Sequence, residues 1–404
     1  FTNSMLFMDR VISNPDKSLD DDAIFRKAQI YFENSEFDKS INNYTSLIEN
    51  FKFSQYLPYS YINRATSYFN LKAYEQAEDD YLYVLKNLKD ENIQSQAILG
   101  MQKTVSFTNS FSQLNLLISE YKNRFPENDN ILKIQFDNIR NLYFNQKYDD
   151  LVLYVKDITA KDQDIYNEYE TNYYLAESLF KLNEYNSAKE AYFVLADSIN
   201  SKYYTRSVKR LAQLYFKENN YEESLKYYKD LELISKNNRE KIDSYVGSLT
   251  NYYFLKKFDS VQYYSQQINN FDKISFNNRN KINLLSAKSY LESGNTSTGI
   301  DKLLTTINLV KDESAAEANY LLAKIFFDQG QKNQALESLY SLNENFSNNQ
   351  FWVGKSYILI AEIFISMGED FQANATLESL IENTDIMLIK NEAEELINKL
   401  NTDD

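Results

Sequence analysis

Small or apolar residues recur in this chain about every 37 positions, each inside a stretch of helical spacing. A second such position follows each of them at a constant offset of 12, as Ala188 follows Ala176. A period in this range predicts an array of stacked repeats, because a single repeat buries its apolar face only against its neighbours. The ten first positions are Ala28, Ala65, Gly100, Ile139, Ala176, Ala212, Leu249, Ala287, Ala323 and Ala361, and Ser112 is the second position of the third repeat.

The fifth repeat shows most clearly what each repeat contains. Apolar residues follow helical spacing over 173–180, a polar break comes at 183–184, and helical spacing resumes over 185–195. A break this short joins two antiparallel helices, and small residues at Ala176 and Ala188 let their backbones approach. The sequence therefore predicts an all-α solenoid of about ten helix pairs.

The two ends of the chain differ from the repeats. Residues 1–20 carry an apolar cluster around Met5 that predicts the remnant of a preceding helix, and residues 21–383 hold the array. Residues 384–404 predict a capping helix followed by an acidic tail, since an array needs a polar end to stay soluble. Because the first residue is Phe1 rather than Met, we expect the chain to begin inside a longer protein or after processing.

Composition excludes several kinds of chemistry. The chain has no Cys and no His, which removes thiol nucleophiles, Ser-His-Asp triads and histidine metal ligands. Acidic pairs such as Asp79–Asp80 diverge on a helix, and no phosphate loop or zinc motif exists. Composition leaves carboxylate, Lys or Tyr catalysis open, but no motif points to it, and we expect no enzyme activity, no cofactor and no metal.

The charge of the chain is negative and uneven. The formal net charge is -15, which argues against nucleic-acid partners. From Ala361 to the end, 11 acids stand against 2 bases, whereas residues 201–260 hold 12 bases and 8 acids. Either these are ordinary solvated faces, or an acidic end and a basic middle meet different partners. No run of about 20 apolar residues predicts a membrane span.

The repeated positions resemble the tetratricopeptide repeat (TPR) family. That family has small residues at its eighth and twentieth positions and aromatic residues or Leu at its eleventh and twenty-fourth, which here are Ala176, Ala188, Leu179 and Tyr192. The resemblance implies a right-handed solenoid over residues 21–383. The family period is 34 residues, so the intervals of 35 to 39 in this chain are longer.

The last repeats have a narrower resemblance. Residues 351–357, followed by Ala361–Glu362 and 372–380, look like the final repeats of long cell-envelope TPR proteins of Bacteroidota-type bacteria. This implies a periplasmic or outer-membrane-associated protein, with the cytoplasm as the alternative. Membrane association would come only through partners or through a missing N-terminal anchor.

The family resemblance also implies a binding groove. First helices line its concave face, with ligand contacts at family positions 2, 5, 9, 12 and 13. Bases between aromatic rings suit an extended acidic peptide or a C-terminal carboxylate, although they equally suit surface charges beside packing rings. The groove residues are Lys133, Phe136, Arg140, Tyr143, Tyr173, Phe180, Lys181, Arg206, Lys209, Phe216, Lys217, Lys281 and Lys288.

These features favour a non-enzymatic scaffold or adaptor whose partners are other proteins, subunits of an envelope complex for outer-membrane biogenesis or secretion. One alternative is a co-chaperone-type receptor for acidic or C-terminal peptides. Another is the non-catalytic part of a larger enzyme whose N-terminal region is missing.

Overall fold

The computed structural model describes residues 2–161, 166–197, 199 and 201–402. Within these ranges the chain forms twenty-two α-helices and no strand, which confirms the all-α prediction. The chain divides into two compact units, Phe1–Tyr204 and Thr205–Asp404, each holding five helix pairs. The division into a helix remnant (1–20), an array (21–383) and a capping segment (384–404) stays a prediction.

The first unit begins with a single helix and continues with the pairs α2/α3 to α10/α11. In each pair the even-numbered helix is the first helix and the odd-numbered one the second helix. The bounds are α1 (Thr2–Ile12), α2 (Asp20–Glu33), α3 (Phe37–Asn50), α4 (Leu57–Asn70), α5 (Tyr74–Asn87), α6 (Glu91–Thr108), α7 (Phe111–Arg124), α8 (Ile131–Phe144), α9 (Tyr148–Lys161), α10 (Glu168–Lys181) and α11 (Tyr185–Leu195).

The second unit holds the pairs α12/α13 to α20/α21, followed by one last helix. The bounds are α12 (Tyr204–Lys217), α13 (Tyr221–Ile234), α14 (Asn238–Phe254), α15 (Phe258–Asn269), α16 (Phe276–Glu292), α17 (Thr296–Leu309), α18 (Glu313–Asp328), α19 (Lys332–Asn345), α20 (Gln350–Met367), α21 (Asp370–Asn383) and α22 (Met387–Thr402).

A residue in the left-handed conformation joins the two helices of each pair. In the second repeat the Lys72 amide donates to the Phe69 carbonyl at 3.0 Å and the Ala73 amide to the Tyr68 carbonyl at 2.9 Å. These bonds close the first helix and reverse the chain. The ten left-handed residues are Ser35, Lys72, Asn109, Gln146, Asn183, Asn219, Lys256, Gly294, Gly330 and Gly368.

The offset of 12 marks the closest approach of the two helices in a pair. The Ser40 hydroxyl donates to the Ala28 carbonyl at 3.0 Å, and the Ser224 hydroxyl donates to the Ala212 carbonyl at 2.8 Å. All four residues are fully buried. A larger side chain at either position would push the helix backbones apart.

The third repeat corrects the positions taken from the sequence. Ser112, assigned there as the buried second position, is exposed, whereas Leu114 is fully buried. The matching first position is Gln102, whose amide donates to the buried Ile134 carbonyl at 2.9 Å. Gly100 is small for another reason, since a Cβ there would overlap the ring of Tyr81. Because residue size alone was used, the first and second positions of this repeat were predicted two residues too early.

The last helix covers the end of the second unit. Ile389 and Ala393 of α22 are fully buried in one apolar cluster with Ala361 of α20 and Leu377 of α21. A Cβ on Gly354 would lie 2.7 Å from a methyl of Ile389, so glycine lets α22 approach α20 closely.

Candidate functional site

Aromatic rings pack against each other across the turn between the first and second helices of a pair. A ring in the last turn of the first helix touches the ring that begins the second helix, which fixes the angle of the turn. Three residues predicted for the groove serve in this way. Two of them also pack against a ring of the following repeat, Tyr143 against Tyr174 and Phe216 against Phe254. The ring centroids are 6.1 Å apart for Tyr143 and Tyr148, 5.8 Å for Phe180 and Tyr185, and 5.4 Å for Phe216 and Tyr221.

Two further aromatic residues predicted for the groove are buried in the first unit. Phe136 is 5% exposed and Tyr173 is 7% exposed. Tyr173 stacks on Tyr203 with the ring centroids 4.5 Å apart. Both rings therefore contribute mainly to packing.

The predicted bases of the first unit lie at the surface of two first helices. Lys133 and Arg140 are exposed on α8, and Lys181 is exposed at the end of α10. Arg140 lies 3.8 Å from the Asp137 carboxylate. An exposed pair of this kind is worth little, so Arg140 keeps its capacity to contact a ligand.

The second unit brings Lys209 and Phe216 of α12 together with Lys281 of α16. They line a pocket of about 210 Å³ whose wall between them comes from α14. We call it the α12–α16 pocket. Its remaining lining residues are Gln213, Tyr228, Asp243, Val246, Gly247, Thr250, Asn251 and Asn278.

A glycine opens the wall of this pocket to a tyrosine. A Cβ on Gly247 would overlap the ring of Tyr228, so the ring reaches the pocket only because position 247 has no side chain. Burial raises the pKa of Tyr228 to about 12, and the Asp243 carboxylate adds to the effect. The Tyr228 hydroxyl therefore stays protonated at neutral pH and offers a neutral hydrogen bond.

Amide side chains supply further polar groups to the pocket. Asn251 is fully buried and donates to the Gly247 carbonyl at 2.9 Å, while its Oδ1 has no hydrogen-bond partner among the described residues. Asn278 lies in the first turn of α16, where its backbone amide donates to the Ser275 hydroxyl. The pocket thus presents uncharged polar groups between two lysines.

Alternating charges follow the first helices of the second unit and continue onto α22. Six side chains at equivalent positions, 36 to 38 residues apart, change sign from each helix to the next. They are Arg206, Asp243, Lys281, Glu317, Lys355 and Glu392. We call them the alternating line.

Every acid of the alternating line is paired with a lysine of the preceding first helix. Asp243 pairs with Lys209, Glu317 pairs with Lys288 at 2.6 Å, and Glu392 pairs with Lys355 at 2.6 Å. These pairs hold neighbouring repeats together, so Lys209 and Lys288 are already engaged within the protein.

Lys281 differs from Lys355, the other lysine of the alternating line, which pairs with Glu392. It is exposed at the pocket, and within the described part of the chain it has no ion pair or hydrogen bond. Arg206 and Lys217 of α12 are also exposed, but both interact with other residues and neither lines the pocket. Lys281 is therefore the predicted groove residue best placed to meet a ligand there.

Sequence reasoning missed Tyr228 and Gly247. The sequence feature that could have identified them is a tyrosine 19 residues before a glycine. Tyr81 and Gly100 in the first unit have the same spacing. Both pairs join a second helix to the first helix of the following repeat.

The described residues contain neither a metal-binding cluster nor a membrane helix. No group of three or more acidic side chains there could hold a metal ion. None of the helices described combines the length and apolarity that crossing a bilayer requires.

The chain is similar to solved structures, although no curated protein sequence matches it. Three of these structures each share 12% sequence identity with the chain. Yeast Tom70 has a TM-score of 0.40, covering 96% of this chain and 97% of that one. The Cut9–Hcn1 hetero-tetramer of APC/C has a TM-score of 0.42, covering 97% and 80%. YrrB, described as a TPR protein with an unusual peptide-binding site, has a TM-score of 0.34, covering 51% and 99%.

Two protein-family models match segments of the chain. Tetratricopeptide repeat models match residues 210–238, which form most of α12 and α13, and residues 317–349, which form most of α18 and α19. The first match includes three residues of the α12–α16 pocket, Gln213, Phe216 and Tyr228. The resemblance of the last repeats to cell-envelope proteins stays a prediction. The chain therefore contains tetratricopeptide repeats at residues 210–238 and 317–349.

Proposed function

We propose that this chain is a non-enzymatic protein-interaction scaffold that holds an acidic segment of a partner protein at the α12–α16 pocket. The observation that carries the proposal is Lys281, a cation that has no ion pair or hydrogen bond with any described residue and lies beside buried polar groups. A carboxylate placed there would gain a charge-assisted hydrogen bond that the protein itself leaves unmade.

The size of the pocket favours a side chain over a separate small molecule. Pockets for small ligands usually hold about 300–1,000 Å³, and this one holds about 210 Å³. One carboxylate side chain of a longer segment fits this volume. The rest of the segment would lie across the first helices, where stacked repeats provide extended binding surfaces.

The cellular setting rests on the sequence alone. The resemblance of residues 351–380 to cell-envelope TPR proteins favours a periplasmic or outer-membrane-associated complex, with the cytoplasm as the alternative. In that setting the partners are other subunits of the complex.

A receptor for isolated acidic or C-terminal peptides is the second candidate. The lysines at opposite sides of the pocket, Lys209 and Lys281, favour it, because two cations can flank one carboxylate. Asp243 already neutralises Lys209, which favours a single acidic side chain over a C-terminal Asp or Glu, which bears two carboxylates.

Native co-purification followed by mass spectrometry tests the proposal. We expect the wild-type chain to retain stable protein companions and Lys281→Glu to lose the companion bound at the pocket. Lys273→Glu is the matched control, because Lys273 is also exposed and has no partner in the described part of the chain, but does not line the pocket. A wild-type chain that emerges alone, or equal losses from both variants, would contradict the proposal. Recovery of a single short peptide would instead favour the receptor.

A further inference from the structure

The last repeat lacks a ring that fills the second repeat. In the second repeat Tyr61 of α4 stacks on Tyr83 of α5 with the ring centroids 4.1 Å apart. The equivalent residues of the last repeat are Tyr357 of α20 and Ser379 of α21. The ring face that Tyr83 covers on Tyr61 therefore has no covering ring on Tyr357, which is 37% exposed.

A cavity occupies the place of the missing ring. It lies between α20 and α21 and has a volume of about 630 Å³. Short side chains at Ala375 and Ser379 leave it open, and Val353 and Leu380 give it an apolar wall. We call it the α20–α21 cavity. Its volume lies within the range of known binding sites.

The charge of the α20–α21 cavity is negative. Asp385 is its only charged lining residue in the described part of the chain. The neighbouring α21 carries Asp370, Glu378 and Glu382 and has no Lys or Arg. Neither Asp385 nor the Tyr357 hydroxyl has a hydrogen bond or ion pair with any described residue. The cavity therefore combines an uncovered aromatic face with an unpaired carboxylate.

We propose that the α20–α21 cavity binds an arginine side chain of a partner protein. A guanidinium is planar and cationic, so it stacks on an aromatic face and also donates two parallel hydrogen bonds to a carboxylate. Here the guanidinium stacks on Tyr357 in the place that Tyr83 occupies on Tyr61, and it pairs with Asp385. Lysine has the charge without the plane and fits less well.

This cavity adds a second partner chemistry to the scaffold. The α12–α16 pocket lies mainly between first helices and presents a lysine, whereas the α20–α21 cavity lies between the helices of one pair and presents a carboxylate. The basic middle and the acidic end of the chain therefore meet segments of opposite charge. The arginine site does not depend on what the α12–α16 pocket binds.

Ligand-observed NMR on the full chain tests the arginine site. The probes are Gly-Arg-Gly blocked at both ends and the same peptide with lysine or citrulline in place of arginine. We expect affinity on the order of millimolar for the arginine peptide, because one side chain makes the contacts. Binding should be at least about threefold weaker for lysine and lost for citrulline, which keeps the plane but has no charge.

Three variants locate the arginine peptide on the chain. Ser379→Tyr should abolish binding, because its ring would cover Tyr357 as Tyr83 covers Tyr61. Asp385→Asn should weaken binding several-fold with no loss of fold, since Asp385 is exposed. Lys273→Glu should leave it unchanged, because Lys273 is exposed and does not line the cavity. Circular dichroism melts check that each variant is folded. Equal binding of arginine and lysine, no binding of the arginine peptide, or unchanged binding by folded Ser379→Tyr would overturn the proposal.

Discussion

At the scale of single residues, glycine substitutions in the turns between paired helices should stabilise the chain. Seven of the ten left-handed turn residues are not glycine, and a side chain in this conformation costs about 1–2 kcal/mol. Lys72 has a φ of 63° and is exposed. We expect Lys72→Gly to raise the free energy of unfolding by about 1 kcal/mol. Urea unfolding followed by far-UV circular dichroism measures the change.

The same substitution in a helix provides the control. Lys103 is exposed inside α6, where glycine costs about 1 kcal/mol. Lys103→Gly should therefore lower the urea midpoint that Lys72→Gly raises. Gly368→Ala should also lower it, because Gly368 has a φ of 75°. Changes of the same sign at Lys72 and Lys103 would show that backbone conformation does not set the effect.

At the scale of helices, one buried ion pair joins α4 to α5. The Arg64 guanidinium donates to both carboxylate oxygens of Asp80, at 2.8 and 2.6 Å, and to the Thr45 hydroxyl at 3.0 Å. Arg64→Met leaves the carboxylate buried without a partner. We expect a loss of about 3–5 kcal/mol at pH 7, measured by urea unfolding.

The loss in Arg64→Met should depend on pH. Burial raises the pKa of Asp80, and the Arg64 guanidinium only partly opposes this rise. Removing Arg64 therefore raises the pKa of Asp80 further. A carboxyl with a raised folded pKa stabilises the fold below its unfolded pKa and loses this contribution as pH rises. The free energy of unfolding that Arg64→Met loses relative to the wild type should thus be smallest near pH 4 and largest at pH 7. Lys39→Met, which breaks an exposed pair with Glu36, should change little at either pH.

Helix spacing gives a third prediction, at Gly247. A methyl group there overlaps the Tyr228 ring, so Gly247→Ala should cost about 1–3 kcal/mol. In a Tyr228→Ala background the same change should cost clearly less, because the obstructing ring is absent. A double-mutant cycle by urea unfolding measures the coupling. Equal costs in both backgrounds would show that Tyr228 is not the obstacle.

Repeated positions in the sequence predicted the helix pairs well, because small residues at close backbone contacts leave a strong period. Ala28 with Ser40 and Ala212 with Ser224 are such contacts. The third repeat was misplaced because Leu114 fills the position of a small residue. The turns carried little signal, since Lys and Gln take a conformation that usually favours glycine.

The binding residues were harder to predict than the helices. Position within a repeat placed Lys209, Phe216 and Lys281 near one another, and they line one pocket. It did not show that Lys209 and Lys288 pair with acids on neighbouring helices. Pairing across repeats depends on side-chain direction and helix spacing, which a single sequence does not give.

At the scale of the whole molecule, stability in a stacked array is local, because each repeat contacts only its neighbours. Ile389 of α22 is fully buried against α20 and α21, whereas Met387 in the same helix is 69% exposed. Ile389→Ala should remove about 2–5 kcal/mol from the last repeats, and Met387→Ala almost nothing. Trp352, the only tryptophan, lies in α20 and reports on this end alone.

Two probes of unfolding therefore separate in Ile389→Ala. Fluorescence of Trp352 should change at lower urea concentration than in the wild type, while far-UV circular dichroism, which averages over all helices, should keep most of its transition in place. The reason is that weakening one end of an array leaves distant interfaces intact. If the two signals shift together by the same amount, the chain unfolds as one cooperative body and the nearest-neighbour description of its stability is wrong.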